Sequence, residues 1–106
     1  MPKPEDYAYR VWWSQEDEAY IATVAEFPSL SCVEETQADA FFGIVDIVGC
    51  VLDDMAAAGE AAPAPFASRS YSGKFALRLP PEKHRQLVIE AAEQHVSLNQ
   101  LVVSRL

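Results

Sequence analysis

The chain has 106 residues, 50% of them hydrophobic, and 16 acids against 8 Lys and Arg give it a net charge of −8. That is length for one modest domain, or for a small domain plus a module that folds only on a partner, and the composition excludes a disordered chain. No apolar run approaches a membrane span, no signal-type segment opens the chain, and two cysteines without metal-type spacing, Cys32 and Cys50, point to small core hydrophobes in a reducing cytoplasm.

Charge is divided along the chain. Residues 1–66 carry Lys3 and Arg10 against thirteen carboxylates, a net −11, whereas residues 67–106 carry six Arg and Lys against Glu82, Glu90 and Glu93, a net +3. An acidic body repels nucleic acid and attracts a basic protein; a basic tail approaches phosphate.

The body reads as a hairpin followed by a long helix. Tyr7, Tyr9, Val11 and Trp13 alternate with Ala8, Arg10 and Trp12, as a strand requires. Ser14 to Ala19 is a polar connection. Tyr20 to Phe27 is a second strand with Ile21, Thr23, Ala25 and Phe27 on one face, Pro28 breaks it, and Leu30 to Val33 is a short third strand. Thr36 caps a helix with Asp39 in capping-box position. Its expected buried face is Phe41, Ile44, Val45, Val48, Val51, Leu52 and Met55, and Gly59 ends it. Gly43 and Gly49 weaken this helix but permit close approach to the sheet. Residues 59–70, GEAAPAPFASRS, are small, Pro-bearing and aperiodic: a short tether, with Pro65 to Ser70 open as a fourth strand.

The tail has three elements. Phe75, Leu77 and Leu79 alternate with Lys74, Ala76 and Arg78 in a half-buried strand that Pro80 and Pro81 stop, and Pro81 suits a first helical position. His84, Leu87, Val88, Ala91, Ala92 and His95 form one helical stripe. Ser97 and Gln100 make a capping box for a second helix, on which Leu98, Leu101, Val102 and Leu106 recur. Elements this short close no core alone. A two-stranded ribbon from two chains is one of the few units that fits the DNA major groove, and the tail resembles a ribbon-helix-helix module.

In that module Phe75, Leu77 and Leu79, with Leu101 and Val102, form the dimer core. Lys74, Ala76 and Arg78 point into the groove, Arg78 being suited to a bidentate contact with guanine worth about 1–3 kcal/mol of discrimination. Ala76 offers an apolar contact, for instance to a thymine methyl. The helix start at Ser97, Leu98 and Asn99 suits a phosphate.

Catalysis is not expected. Asp46 and Asp53 share a helix face, with Asp54 beside them, but no carboxylate sits in the middle of either of the first two strands to complete a metal cluster of the ribonuclease H kind. Neither cysteine has a base that the sequence identifies. No cofactor or metal site is expected.

Taken together, an aromatic strand, an acidic turn, AYIATVAEFPSLSCVEETQADA leading into a long helix, GEAAPAP, and then SGKFALRLPPEKHRQLVIEAAEQHVSLNQLVVSRL resemble the HicB-type antitoxins, in the right order and over nearly the whole chain. The SGKFALRLP and VSLNQLV stretches carry the specificity. The resemblance implies an α+β chain: a partial ribonuclease H-like, toxin-neutralising domain over 1–62 (antiparallel sheet plus one long helix), a linker or last strand over 63–70, and a ribbon-helix-helix DNA-binding and dimerisation module over 71–106. It implies as partners a small basic HicA-like toxin that cuts mRNA, the operon's own operator DNA, and a second copy in a dimer or higher oligomer, with no membrane. Its DNA-facing positions fall on Lys74, Ala76 and Arg78. The sequence departs from the family pattern at His95 and Ser29, where glycines are usual, and at Glu34-Glu35, where Gly-Asp is common. A second class of function stays open: a stand-alone DNA-binding regulator whose front domain senses a ligand or mediates assembly.

Overall fold

A computed structural model describes residues 2–106. It is an α+β chain with a three-stranded antiparallel sheet and three α-helices, divided into one compact unit reaching to Tyr71 and a second of Ser72–Leu106.

In the first unit, β1 (Tyr9–Ser14), β2 (Ala19–Val24) and β3 (Ser31–Glu34) lie in the order β1-β2-β3. Register runs from Tyr9 opposite Val24 to Ser14 opposite Ala19, and from Tyr20 opposite Glu34 to Thr23 opposite Ser31. The β1–β2 turn is held by the Ser14 hydroxyl, which accepts the Asp17 N–H at 3.2 Å and donates to its carboxylate at 2.9 Å. Glu18 takes the left-handed backbone at φ 49° that lets the chain reverse.

The expected β1 began two residues too early, because Tyr7 leaves the ladder for the core. Its ring packs edge-on against Phe27 with centroids 5.3 Å apart, and its hydroxyl donates to the Pro63 carbonyl at 2.8 Å. The expected β2 ran three residues too far, because Glu26 interrupts it. That carboxylate is buried and accepts the Ala8 N–H (3.0 and 3.3 Å) and the Phe66 N–H (2.9 Å). The face of β2 that enters the core is Tyr20, Ala22 and Val24, with Ile21 and Thr23 on the opposite face.

Helix α1 (Gln37–Ala57) starts where Thr36 accepts the Asp39 N–H at 3.1 Å. Ala40, Ile44, Val48 and Leu52 form its buried i, i+4 stripe against Ala22 and Val24. Each of the three large aliphatics contributes about 1.5–3 kcal/mol by burial. The stripe is narrower than expected, since a three-stranded sheet offers one row of contacts. Phe41 is 40% exposed, and Val45, Val51 and Met55 are half-buried flanks. Gly43 has a packing reason: a Cβ there would meet the Cys32 Sγ at 2.4 Å, whereas one at Gly49 would make ordinary contact with Pro4 at 3.7 Å. Cys50 is exposed on the outer face of α1, and only Cys32 is partly buried, so the expectation of two core thiols is corrected for Cys50.

The fourth strand left open for Pro65–Ser70 does not form. Phe66–Ser68 make a 3-10 turn, tied down by the Glu26 carboxylate and by Arg69, whose guanidinium lies 4.0 Å over the Phe66 ring and donates to the Ala64 carbonyl. The 3-10 conformation spends these backbone groups on local bonds and on Glu26 in place of a ladder.

Candidate functional site

The Ser72–Leu106 unit holds every residue singled out for DNA contact or dimerisation. Helix α2 (Pro81–Glu93) has Pro81 in its first turn, and α3 (Leu98–Ser104) starts at the expected capping box: Ser97 Oγ accepts the Gln100 N–H at 3.0 Å, and Gln100 Oε1 accepts the Ser97 N–H at 2.8 Å. Between them His95 stands at φ 58°, the left-handed conformation glycine adopts most easily. The His95 N–H reaches the Ala92 carbonyl and the Val96 N–H reaches that of Ala91, so the close of α2 is the two-bond Schellman pattern with histidine at its centre. An exposed Glu90–Arg105 ion pair spans the two helices and adds little stability.

Ala91 and Leu101 are the buried hydrophobics of this unit. Phe75 is 79% exposed and Leu77 60%. The expected strand is not assigned: among the described residues, the backbone of residues 74–79 makes no hydrogen bond to another backbone group. A strand exists by pairing, and the chain offers this segment no neighbour. Lys74 is held only locally, its N–H donating to the Ser72 hydroxyl at 3.1 Å.

A groove of about 430 Å³ lies across this unit. Phe75, Leu77, Leu79 and Val102, four of the five expected dimer residues, line it; the fifth, Leu101, is already buried between α2 and α3. Lys74, Leu98 and Asn99 line the groove too, while Ala76 and Arg78 are exposed and stand outside its lining. The alternation expected for a ribbon thus holds for residues 75–79, and Lys74 departs from it at the end. Ser97 spends its hydroxyl on the cap. Gly73, His84, Leu87, Val103 and Leu106 complete the lining and were absent from the expected site. Leu87 and His84 lay on the helical stripe and were recoverable from it, whereas nothing in the periodicity marked Val103.

The acids weighed for metal chemistry do not converge. Asp46, Asp53 and Asp54 are exposed on α1, and among the described residues no three His, Cys, Asp or Glu side chains are placed to hold one ion.

Among the described residues, no helix is long and apolar enough to cross a membrane. No curated protein and no solved structure matches the chain. The model of the HicB family matches residues 57–106, from the last residue of α1 through the whole Ser72–Leu106 unit. The C-terminal half of the chain is therefore similar to the HicB family, and that similarity supports a HicB-type antitoxin.

Proposed function

We propose that this chain is a HicB-type antitoxin with two jobs: its front unit binds and blocks a small basic, mRNA-cleaving HicA-like toxin, and its C-terminal unit dimerises as a ribbon-helix-helix and represses its own operon. The observation that carries the reading is the coincidence of the HicB match with a unit that leaves its apolar side open. In this reading the 74–79 segments of two copies pair as an antiparallel ribbon, Phe75, Leu77 and Leu79 enter the partner's groove, and Ala76 and Arg78 face the DNA major groove. Lys74, at the ribbon end, reaches phosphate. The N–H groups of Leu98 and Asn99 remain free of the Ser97 cap for a backbone phosphate.

The front unit fits a partial ribonuclease H-like architecture, with three antiparallel strands, β2 central, and one long helix over one face. Its surplus of ten negative charges, 13 acids against Lys3, Arg10 and Arg69, suits a basic protein and opposes nucleic acid. No catalysis is assigned to the chain, and the reading has it act in the cytoplasm without a cofactor.

Co-expression with the protein encoded beside it tests the first job. A stable complex, with that protein toxic alone and harmless when bound, is expected; no binding would remove the antitoxin reading. For the second job, affinity for DNA upstream of the gene is measured for the chain and for Arg78→Ala. A loss of about 1–3 kcal/mol with relaxed specificity is expected, and equal affinity would count against ribbon readout.

A further inference from the structure

The two faces of the front sheet are unlike. The face under α1 runs in rows from Tyr9–Val24 through Val11–Ala22–Cys32 to Trp13–Tyr20–Glu34. The first two rows are covered by the helix; in the third, at the β1–β2 turn end, Trp13 is 46% exposed and Glu34 is open to solvent. The first turn and a half of α1 carries two aromatics that the core does not take. Phe41 packs edge-on to Tyr9 with centroids 5.9 Å apart, and Phe42, 64% exposed, packs against Phe41 at 5.6 Å. Trp13 is fixed edge-on to Tyr20 at 5.2 Å, and its indole N–H donates to Gln15 at 3.2 Å. These aromatics are held in place yet left wet, so little side-chain entropy remains to be lost when something covers them.

Asp39 and Asp46 flank Phe42 three residues before and four after it on α1, the spacings that share a helix face. Glu34 closes the strand row, and the acids Glu16, Asp17 and Glu18 form the turn that follows Trp13; all are exposed. Of the two bases of residues 1–66, Arg10 is on the opposite sheet face, its guanidinium 5.0 Å from the Trp12 ring centroid, and Lys3 precedes the Pro4–Asp6 turn. That opposite face, with Ile21 and Val33 beside Trp12, is apolar too but carries the base Arg10.

We propose that the patch of Phe41 and Phe42, flanked on α1 by Asp39 and Asp46, is the docking surface for a basic protein. This rests on the antitoxin reading and gives it a location. The arrangement is that of a protein interface: an aromatic centre that is desolvated on binding and a charged rim that steers the encounter. Its charge repels phosphate-bearing surfaces, nucleic acid and anionic lipid alike, and attracts a basic polypeptide. The opposite sheet face, which carries Arg10, lacks that selectivity.

The test measures binding of the full-length chain to the purified product of the adjoining gene, comparing wild type with Phe42→Arg, Phe42→Ala and Val33→Arg. Both positions are exposed, and far-UV circular dichroism checks the fold of each variant. Phe42→Ala is expected to weaken binding about tenfold and Phe42→Arg about a hundredfold, with Val33→Arg within about threefold of wild type. Wild-type association should slow as salt rises. Binding by wild type that survives Phe42→Arg, or that Val33→Arg disrupts as strongly, overturns the site and leaves the antitoxin reading standing. A wild-type chain that does not bind that product overturns the reading itself, and the site with it.

Discussion

The two units of this chain spend their hydrophobic residues differently. The unit ending at Tyr71 gathers Tyr7, Ala22, Val24, Ala40, Ile44, Val48 and Leu52 into one closed core, with Tyr9, Val11 and Cys32 packed around it. The Ser72–Leu106 unit buries Ala91 and Leu101 and leaves Phe75, Leu77, Val103 and Leu106 in water. Exposing apolar surface forgoes about 25 cal/mol for each Å² left uncovered, and a segment patterned as a strand but lacking a ladder leaves its backbone to solvent. The first unit is thus self-sufficient in one chain, and the second has the pattern of half a structure.

The sharpest break of that comparison is Leu77→Asp. In the proposed dimer it buries a charge, and the dimer dissociation constant should rise at least about a hundredfold; a dimer that survives in sedimentation equilibrium removes the ribbon. Ile44→Ala is the matching change in the other unit. It should cost about 3 kcal/mol of stability, and the loss should not depend on protein concentration, whereas the stability of the C-terminal unit should rise with concentration by mass action.

Alkaline pH separates the units by a different route. Burial, followed by the charges of Glu26 and Glu5, pushes the Tyr9 hydroxyl up to about 12 from 10, and burial, then Glu26 and Asp6, raises Tyr7 as well. Both hydroxyls donate to backbone carbonyls, Tyr9 to that of Pro4 at 2.7 Å. A folded-state pKa above the unfolded one means that the folded chain holds its protons more tightly. The resulting stability is therefore complete below about pH 10 and is lost as pH rises toward 12. Unfolding of the first unit should become easier across that window, and Tyr9→Phe should flatten the fall while costing about 1 kcal/mol at neutral pH for the lost hydrogen bond. An unfolding midpoint equally steep in pH for the mutant would assign the effect to other groups.

What the sequence disclosed follows the range of the interactions. The Thr36 and Ser97 caps, the Gly59 turn and the i, i+4 stripe of α1 depend on residues within a turn of one another, and all were legible; His95, placed on the stripe of α2 by its spacing, instead closes that helix in the left-handed conformation. Tyr7 and Glu26 were not. Their partners are the carbonyl of Pro63 and the N–H groups of Ala8 and Phe66, between 18 and 56 residues away, and backbone groups leave no mark in a sequence. The same limit hid the 3-10 turn at Phe66, which exists because Glu26 holds its N–H. In the candidate site the alternation of residues 75–79 was readable from one chain. The pairing that would make it a strand is absent from the single chain, and in the proposed dimer a second copy supplies it.

The smallest effect compares the ends of two helices. Helices α1 and α2 close with the same pair of hydrogen bonds, from Gly59 and Glu60 to the Ala56 and Met55 carbonyls in one, and from His95 and Val96 to the Ala92 and Ala91 carbonyls in the other. Gly59 sits at φ 73° and His95 at φ 58°. A Cβ built at Gly59 meets nothing within 4 Å, so Gly59→His would introduce the left-handed backbone penalty with no clash added. That penalty is about 1–2 kcal/mol for a residue bearing a Cβ, offset by the greater freedom glycine has in the unfolded chain. His95→Gly should therefore stabilise the close of α2 by about 1 kcal/mol, and Gly59→His should weaken that of α1 by a similar amount. Amide exchange in the last turn of each helix reads the two separately. If His95→Gly instead loosens α2, the imidazole makes a contact worth more than the backbone strain.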